Sequence, residues 1–234
     1  RSLLEEHAAC IYKIESRAKD PDSANLKILR KRYRYASAQL TDKIGVRIIT
    51  YHPIDVDKIV ERIKAETQVD YRRGRTVDKR RELGPRSFGY RSVHLIIRLK
   101  PRDAKRMEFS PLAGIWFEIQ VRSMFEHAWA EIDHEVTYKS GILYPDEVIR
   151  RFAAIAGTLE IVGGAFYSFR DERNRLIETY RDRYDKGLDK KKPFDSARLI
   201  GFMEALFPNR PGWRKMEENH TPFPPGSNPH VLRL

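Results

Sequence analysis

The stretch "IWFEIQVRSMFEHAWAEIDHEVTYK", residues 115–139, limits the fold more than any other part of the chain. Its first half alternates, with Ile115, Phe117, Ile119 and Val121 in one set of positions and Trp116, Glu118, Gln120 and Arg122 in the other. Period two marks a half-buried strand, so burying the aliphatic set turns an acid, an amide and a guanidinium to the opposite face. From Met124 the period lengthens to that of a helix. Phe125, Ala128, Trp129, Ile132 and Val136 fall on an inward stripe, and His127, Glu131, His134 and Tyr138 on another. A strand that feeds directly into a helix calls for a sheet with helices packed on it.

The rest of the chain supplies the partners. "GVRIITYH" (45–52) and "VHLIIRL" (93–99) read as strands, and "DVDKIVERIKAET" as a helix capped by Asp55, with Val56, Ile59, Val60 and Ile63 on one stripe. Residues 2–19 place Leu3, Leu4, Ala8, Ile11 and Ile14 at helical spacing, and Asp22 is the expected cap of a second helix to about Tyr35. A long helix entered at Pro145 runs to about Tyr184, with Val148, Phe152, Ile155, Leu159, Val162 and Phe166 facing a core and a bend or break at Gly163–Gly164. The expected architecture is mixed α/β: a central mixed sheet flanked by helices, with a helical C-terminal region. Residues 1–140 form the core, 141–192 a helical extension, and 193–234 a short amphipathic helix with a Pro-rich tail. Phe202, Met203, Leu206 and Phe207 stripe that last helix.

Forty-five Lys and Arg against 33 Asp and Glu leave a net charge of +12, a field that draws in phosphates on nucleotides, nucleic acid or membrane surfaces. The densest stretch is "YRRGRTVDKRRELGPR" (71–86). A single cysteine, Cys10, excludes an internal disulfide and a cysteine zinc cluster. No apolar run approaches the roughly 18 residues that span a bilayer, and the N-terminus lacks the regions of a signal peptide, so the expected setting is cytoplasmic with no membrane partner.

Several clusters have chemical potential. Asp42 opens one strand and Glu118 sits in another, each within a basic surrounding that includes Arg47. They are either unrelated acids on solvated faces or a Mg²⁺ platform, since that hard cation takes carboxylate oxygens and leaves positions for substrate phosphates. Arg17, Lys19 and Lys27 gather around a helix start at Ser23, which is either a solvated charged surface or an anion site. Tyr90, at a strand entrance, is either a core residue or an aromatic platform for a base, and His94 faces the Arg98 side of its strand. The spacing of His127, Glu131 and His134 is not that of a helical zinc motif.

Taken together, "SRAKDPDSANLK", "DKIGVRIIT", "GPRSFGYRSVH" and "FEIQVRSMFEHAWAEIDHEVTYK" resemble the synthetase domain of the RelA/SpoT family of alarmone (ppGpp) synthetases, in the family's order and over roughly residues 11–140. The resemblance implies a nucleotidyltransferase-like fold and transfer of the β,γ-pyrophosphate of ATP to the 3′-hydroxyl of GDP or GTP, giving ppGpp or pppGpp and AMP. Carried over by motif, Asp42 ligands Mg²⁺, and Glu118 shares the metal or takes the proton of the attacking hydroxyl. Arg17 and Arg47 resemble the pair that sandwiches adenine, with Lys19, Ser23 and Lys27 near the ATP phosphates. Tyr90 resembles the residue that stacks on guanine, and His94, Gln120, Arg122 and His134 the polar ring around the acceptor.

Arg75 and Asp78 fit the first half of the family's acceptor loop, and Pro85, Arg86, Gly89 and Tyr90 the second. Phe88 stands where the family commonly has Asn, and the loop between is longer. No His-Asp dipeptide occurs and no room precedes the synthetase segment for the family's hydrolase domain, so a small, synthesis-only member is expected. Some toxic relatives pyrophosphorylate the 3′ end of tRNA and others use adenosine nucleotides, which makes both alternative acceptors. A non-catalytic nucleotide- or RNA-binding module is the alternative of another class. The C-terminal region is open to three roles: bracing the sheet, a homo-oligomer contact, or a seat for a regulator or antitoxin.

Overall fold

Among the described residues six strands organise the first of two compact units, residues 1–165; the second is residues 166–234. The computed structural model describes residues 4, 10–35, 39–72, 75–84, 87–138, 143–186 and 198–201. Arg86 and the stripe from Phe202 to Phe207 lie outside them, as does most of the proposed final helix.

The strands are β1 (Ile11–Ala18), β2 (Ile44–Thr50), β3 (Thr67–Val69), β4 (Val77–Asp78), β5 (Val93–Leu99) and β6 (Phe117–Ser123). Their order is β1-β2-β6-β5-β3, with β4 also paired to β5. Only the β2–β6 pair is parallel among these pairings, so the sheet is mixed. One face is apolar. Ile48, Val93, Leu95, Ile97, Ile119 and Val121 pack there against Val56, Ile59, Val60 and Ile63 of helix α2 (Pro53–Glu66). The stripe read from the sequence is the stripe that is buried, although His52, not Asp55, occupies the cap position and Asp55 is buried in the first turn.

Because directly paired residues point to the same side of a sheet, the register assembles the other face row by row. One row is Arg17, Gly45, Glu118 and Ile96; the next is Glu15, Arg47, Gln120 and His94. Gly45 leaves a gap between Arg17 and Glu118, since a Cβ built there would meet nothing within 4 Å. Helix α1 (Pro21–Lys31) follows β1. Its cap is Asp20, whose carboxylate accepts the Ser23 N–H at 2.9 Å, and Arg32 in the left-handed region (φ 51°) closes it. Helix α3 (Met124–Asp133) springs from β6 through a capping box of Ser123 and Glu126. Helix α4 (Asp146–Asp185) is the longest of the described helices.

Four expectations are corrected. The segment 11–18 is a strand, not part of a helix over 2–19: pairing with β2 outweighs the local spacing of Ile11 and Ile14. The second helix is capped by Asp20 and ends at Lys31, earlier than Tyr35. In α3, Trp129 and Ala130 are buried while Ala128 and Ile132 are exposed, because the helix also presents polar side chains to the sheet. The break expected at Gly163–Gly164 does not occur, since α4 is helical on both sides of the pair, and Phe152 and Leu159 pack by Trp129 whereas Ile155 and Phe166 are exposed. Glycine's helix cost is modest beside the bonds flanking it.

Within α4 an 18-residue window reaches a mean hydropathy of 1.4 and is only 17% buried, long and apolar enough to cross a membrane. It corresponds to "FAAIAGTLEIVGGAFYSF", where Glu160 is the lone charge, so the expectation that no apolar run reaches this length is also corrected.

Candidate active site

The polar face of the sheet brings Asp42 and Glu118 together. Asp42 stands two residues before β2, and Glu118 is the second residue of the adjacent parallel strand β6. The Asp42 Oδ2 accepts from Lys19 Nζ at 3.0 Å and Lys27 Nζ at 2.7 Å. Lys19 is fixed just beyond β1 by its own N–H, which donates to the Lys43 carbonyl at 2.8 Å, and Lys27 reaches in from α1. The Asp42 Oδ1 is buried and has no hydrogen-bond partner. A buried carboxylate oxygen left without a donor is costly in apolar surroundings and is suited to a cation. Burial pushes the Asp42 carboxyl up, but hydrogen bonds from Lys27 and Lys19 outweigh it, and the net shift is downward.

Glu118 is held from the other side. Its Oε1 lies 2.7 Å from His94 Nδ1 and accepts from Gln120 Nε2 at 3.3 Å. A carboxylate needs a donor at that distance, so His94 Nδ1 carries a proton. The His94 Nε2 meets the Tyr90 hydroxyl at 2.9 Å, completing a chain Tyr90–His94–Glu118. Burial raises the Glu118 carboxyl, the His94 hydrogen bond and charge lower it, and the net direction is down; the Asp42 charge acts against this, a sign that the two acids are close enough to repel. Tyr90 packs against the Trp129 cluster, and burial raises its phenol.

A second polar cluster links sheet and helix. The Glu131 Oε1 of α3 accepts from Arg47 Nη1 and Arg122 Nη2, both at 2.9 Å, and stands 3.6 Å from His127 Nδ1. Arg47 also reaches Glu15 Oε2 at 3.4 Å. Arg122 is 2% exposed, and burial followed by Arg47 repulsion lowers its affinity for a proton. Burial and Arg122 likewise lower His127. The Nε atoms of Arg47 and Arg122 are buried without a partner.

The remaining expected residues divide. Arg17 is exposed on the same face, Ser23 is exposed in the first turn of α1, and Arg75 precedes β4 with its N–H donating to the Arg72 carbonyl at 3.0 Å. His134 is exposed where α3 passes into a π-helical turn, His134–Tyr138. The structure does not bring Asp78 to this face. It pairs with Val93, a core residue, accepts from Arg80 at 2.9 Å, and through Arg80 is tied to Asp57 of α2 at 2.6 Å. Glu15 was missed because its orientation depends on β1 being a strand. Glu131 was visible on the helix face with His127, four residues earlier, but its reach back to Arg122 and Arg47 needs the turn from β6 into α3.

The region found in RelA / SpoT proteins matches residues 16–142, more than half of the chain and all of the face just described except Glu15. The chain belongs to the RelA/SpoT family. The GTP pyrophosphokinase YwaC of Bacillus subtilis (strain 168) is 30% identical over 129 residues, 53% of this chain and 57% of that protein, so the match spans little more than half of the relative's length. The fold is that of the family's solved small members. The small alarmone synthetase 1 of Bacillus subtilis superposes with a TM-score of 0.58 at 23% identity, over 75% of this chain and 86% of that one. The same enzyme bound to its product pppGpp gives 0.57 at 23% identity, over 71% and 80%.

Proposed function

We propose that this RelA/SpoT-family chain transfers the β,γ-diphosphate of ATP to the 3′-hydroxyl of GDP or GTP, with AMP as the leaving group. The observation that carries this reading is the pair Asp42 and Glu118 on a cationic face, one of them with a buried, unpartnered oxygen. The relative's designation as a GTP pyrophosphokinase and the pppGpp held by a protein of the same fold support it.

In the reaction, the acceptor's O3′ bonds to the β-phosphorus, the bond from that phosphorus to the oxygen bridging it to the α-phosphate breaks, and its electrons leave with AMP. Two polyphosphates repel one another, so charge neutralisation and alignment are the main demands on the protein. Lys19 and Lys27, already gathered at Asp42, would meet the donor phosphates. Arg17 and Arg47 would flank adenine, with Glu15 and Glu131 holding the Arg47 plane. Tyr90 would stack on guanine and Gln120 would line the acceptor ribose. Glu118, ionised at neutral pH, would receive the 3′-hydroxyl proton, and His94 would keep its carboxylate oriented. Asp42 and Glu118 fit Mg²⁺: two carboxylates with one free buried oxygen leave most of its coordination to water and phosphate. When bound, Mg²⁺ would supply neutralisation of the phosphate oxygens at the reacting phosphorus.

The test is a competition. With γ-labelled ATP, Mg²⁺ and a mixture of GDP, GTP, unlabelled ATP and total tRNA, label is expected in a guanosine nucleotide. Label confined to tRNA or an adenosine nucleotide, or no transfer, would overturn the reading.

A further inference from the structure

Outside the centre, the same face carries a cationic hollow of about 340 Å³ lined by Gln68, Arg98, Pro101, Lys105, Ala113 and Gly114, with no acid on its wall. Arg98 stands two residues beyond Ile96, whose register partner is Glu118, and Trp116 two residues before Glu118. A two-residue step along a strand is about 7 Å, so Trp116 sits one step from Glu118 and Arg98 sits diagonally from it on the adjacent strand. The Arg98 guanidinium lies 4.7 Å over the Trp116 ring, and its Nε donates to Gln68 Oε1 at 2.6 Å. These contacts fix the plane and leave the terminal nitrogens, the forked edge that matches a phosphate. Two acids of the neighbouring segments are already engaged: Arg102 holds Glu66 at 3.0 Å and Asp103 at 3.4 Å. Among the described residues neither Arg98 nor Lys105 has an acidic partner.

We propose that Arg98 and Lys105 form a phosphate subsite that takes the 5′-phosphates of the acceptor nucleotide. The inference rests on the acceptor reading above. A nucleotide with its 3′-hydroxyl at Glu118 carries its 5′-phosphates across the ribose, and this hollow is a cationic space with no acid on its wall close to Glu118 on that face. The subsite distinguishes GTP and GDP from GMP by charge.

The test measures binding of GTP, GMP and inorganic tripolyphosphate to wild type, Lys105→Gln and Arg98→Gln by equilibrium dialysis at low salt, with the donor site at Lys19 and Lys27 kept saturated by a non-hydrolysable ATP analogue so that only acceptor-side binding is read. Lys105 is exposed, so its variant folds even if loss of the Arg98 stack does not permit folding. GTP is expected to weaken at least tenfold in each folded variant, about 1.4 kcal/mol, with GMP within twofold. Tripolyphosphate should compete with GTP in wild type and lose its own binding in the variants. Equal weakening of GTP and GMP, unchanged GTP binding, or tripolyphosphate that binds without competing would each overturn the proposal. Wild type that binds tripolyphosphate through Lys105 but transfers nothing to guanosine nucleotides would sink the acceptor reading itself, whereas transfer that is indifferent to both variants would sink only the subsite.

Discussion

Replacing Asp42 by Asn should move binding and turnover in opposite directions. In the native site one carboxylate oxygen serves two ammonium groups, 3.0 and 2.7 Å away, so the trio carries a net charge of +1. The amide keeps the shape and leaves +2. For a phosphate about 5 Å away, one unit of charge is worth about 1 kcal/mol at the dielectric of water and about 3 kcal/mol at an effective value of 20. In EDTA and low salt, D42N should therefore bind ATP roughly 5- to 140-fold more tightly than wild type. Added salt should shrink the gain, because a site reached by solvent is screened. With Mg²⁺ restored, turnover should fall at least about 100-fold, the order seen when one electrostatic contributor to a transition state is removed. Isothermal titration gives the first quantity and AMP release the second. If D42N binds metal-free ATP no better than wild type, Asp42 does not stand among the phosphate-binding lysines. If turnover survives, it does not hold the metal.

Three further outcomes follow from the geometry. Gly45→Ala meets no protein atom and relieves glycine's entropy cost in a strand, so stability should hold or rise by about 0.5 kcal/mol in urea melts; yet the methyl enters the gap beside Glu118, and kcat/KM should drop. Gly157→Ala places a Cβ 3.1 Å from the Phe88 ring, close enough to push it, so the KM for the guanosine acceptor should rise more than that for ATP. Glu118 and Asp42 have folded values below their ordinary 4.5 and 3.8, so their contribution to stability is present above those values and is lost as pH falls through the lower folded ones; His94→Ala removes the group that depresses Glu118, and the acid limb of the pH–rate profile should move upward.

Strands β2, β5 and β6 and helix α2 were legible because each carries a continuous apolar pattern that its burial requires, and the alternation in β6 by itself sets Glu118, Gln120 and Arg122 on one face. What was hidden depended on pairing between distant segments. An edge strand such as β1 has no complete apolar face of its own, so Ile11 and Ile14 passed for a helix stripe, and Glu15 was lost with it. Asp78 shows the sensitivity of a two-residue strand: one position decides the face, and Val77 takes the side of His94. Helix α3 must cover a polar surface as well as Trp129, so a single inward stripe could not describe it. The unpartnered Asp42 oxygen and the double grip of Glu131 on Arg47 and Arg122 are properties of side-chain geometry that no spacing encodes.

The most direct measurement follows the phosphates themselves. Phosphorus NMR of a single reaction containing ATP, GTP and Mg²⁺ distinguishes attack at the β-phosphorus from attack at the γ-phosphorus. The account predicts one AMP for each new ribose 3′-diphosphate and no ADP; ADP appearing in step with a monophosphorylated product, or AMP formed without GTP, would contradict it.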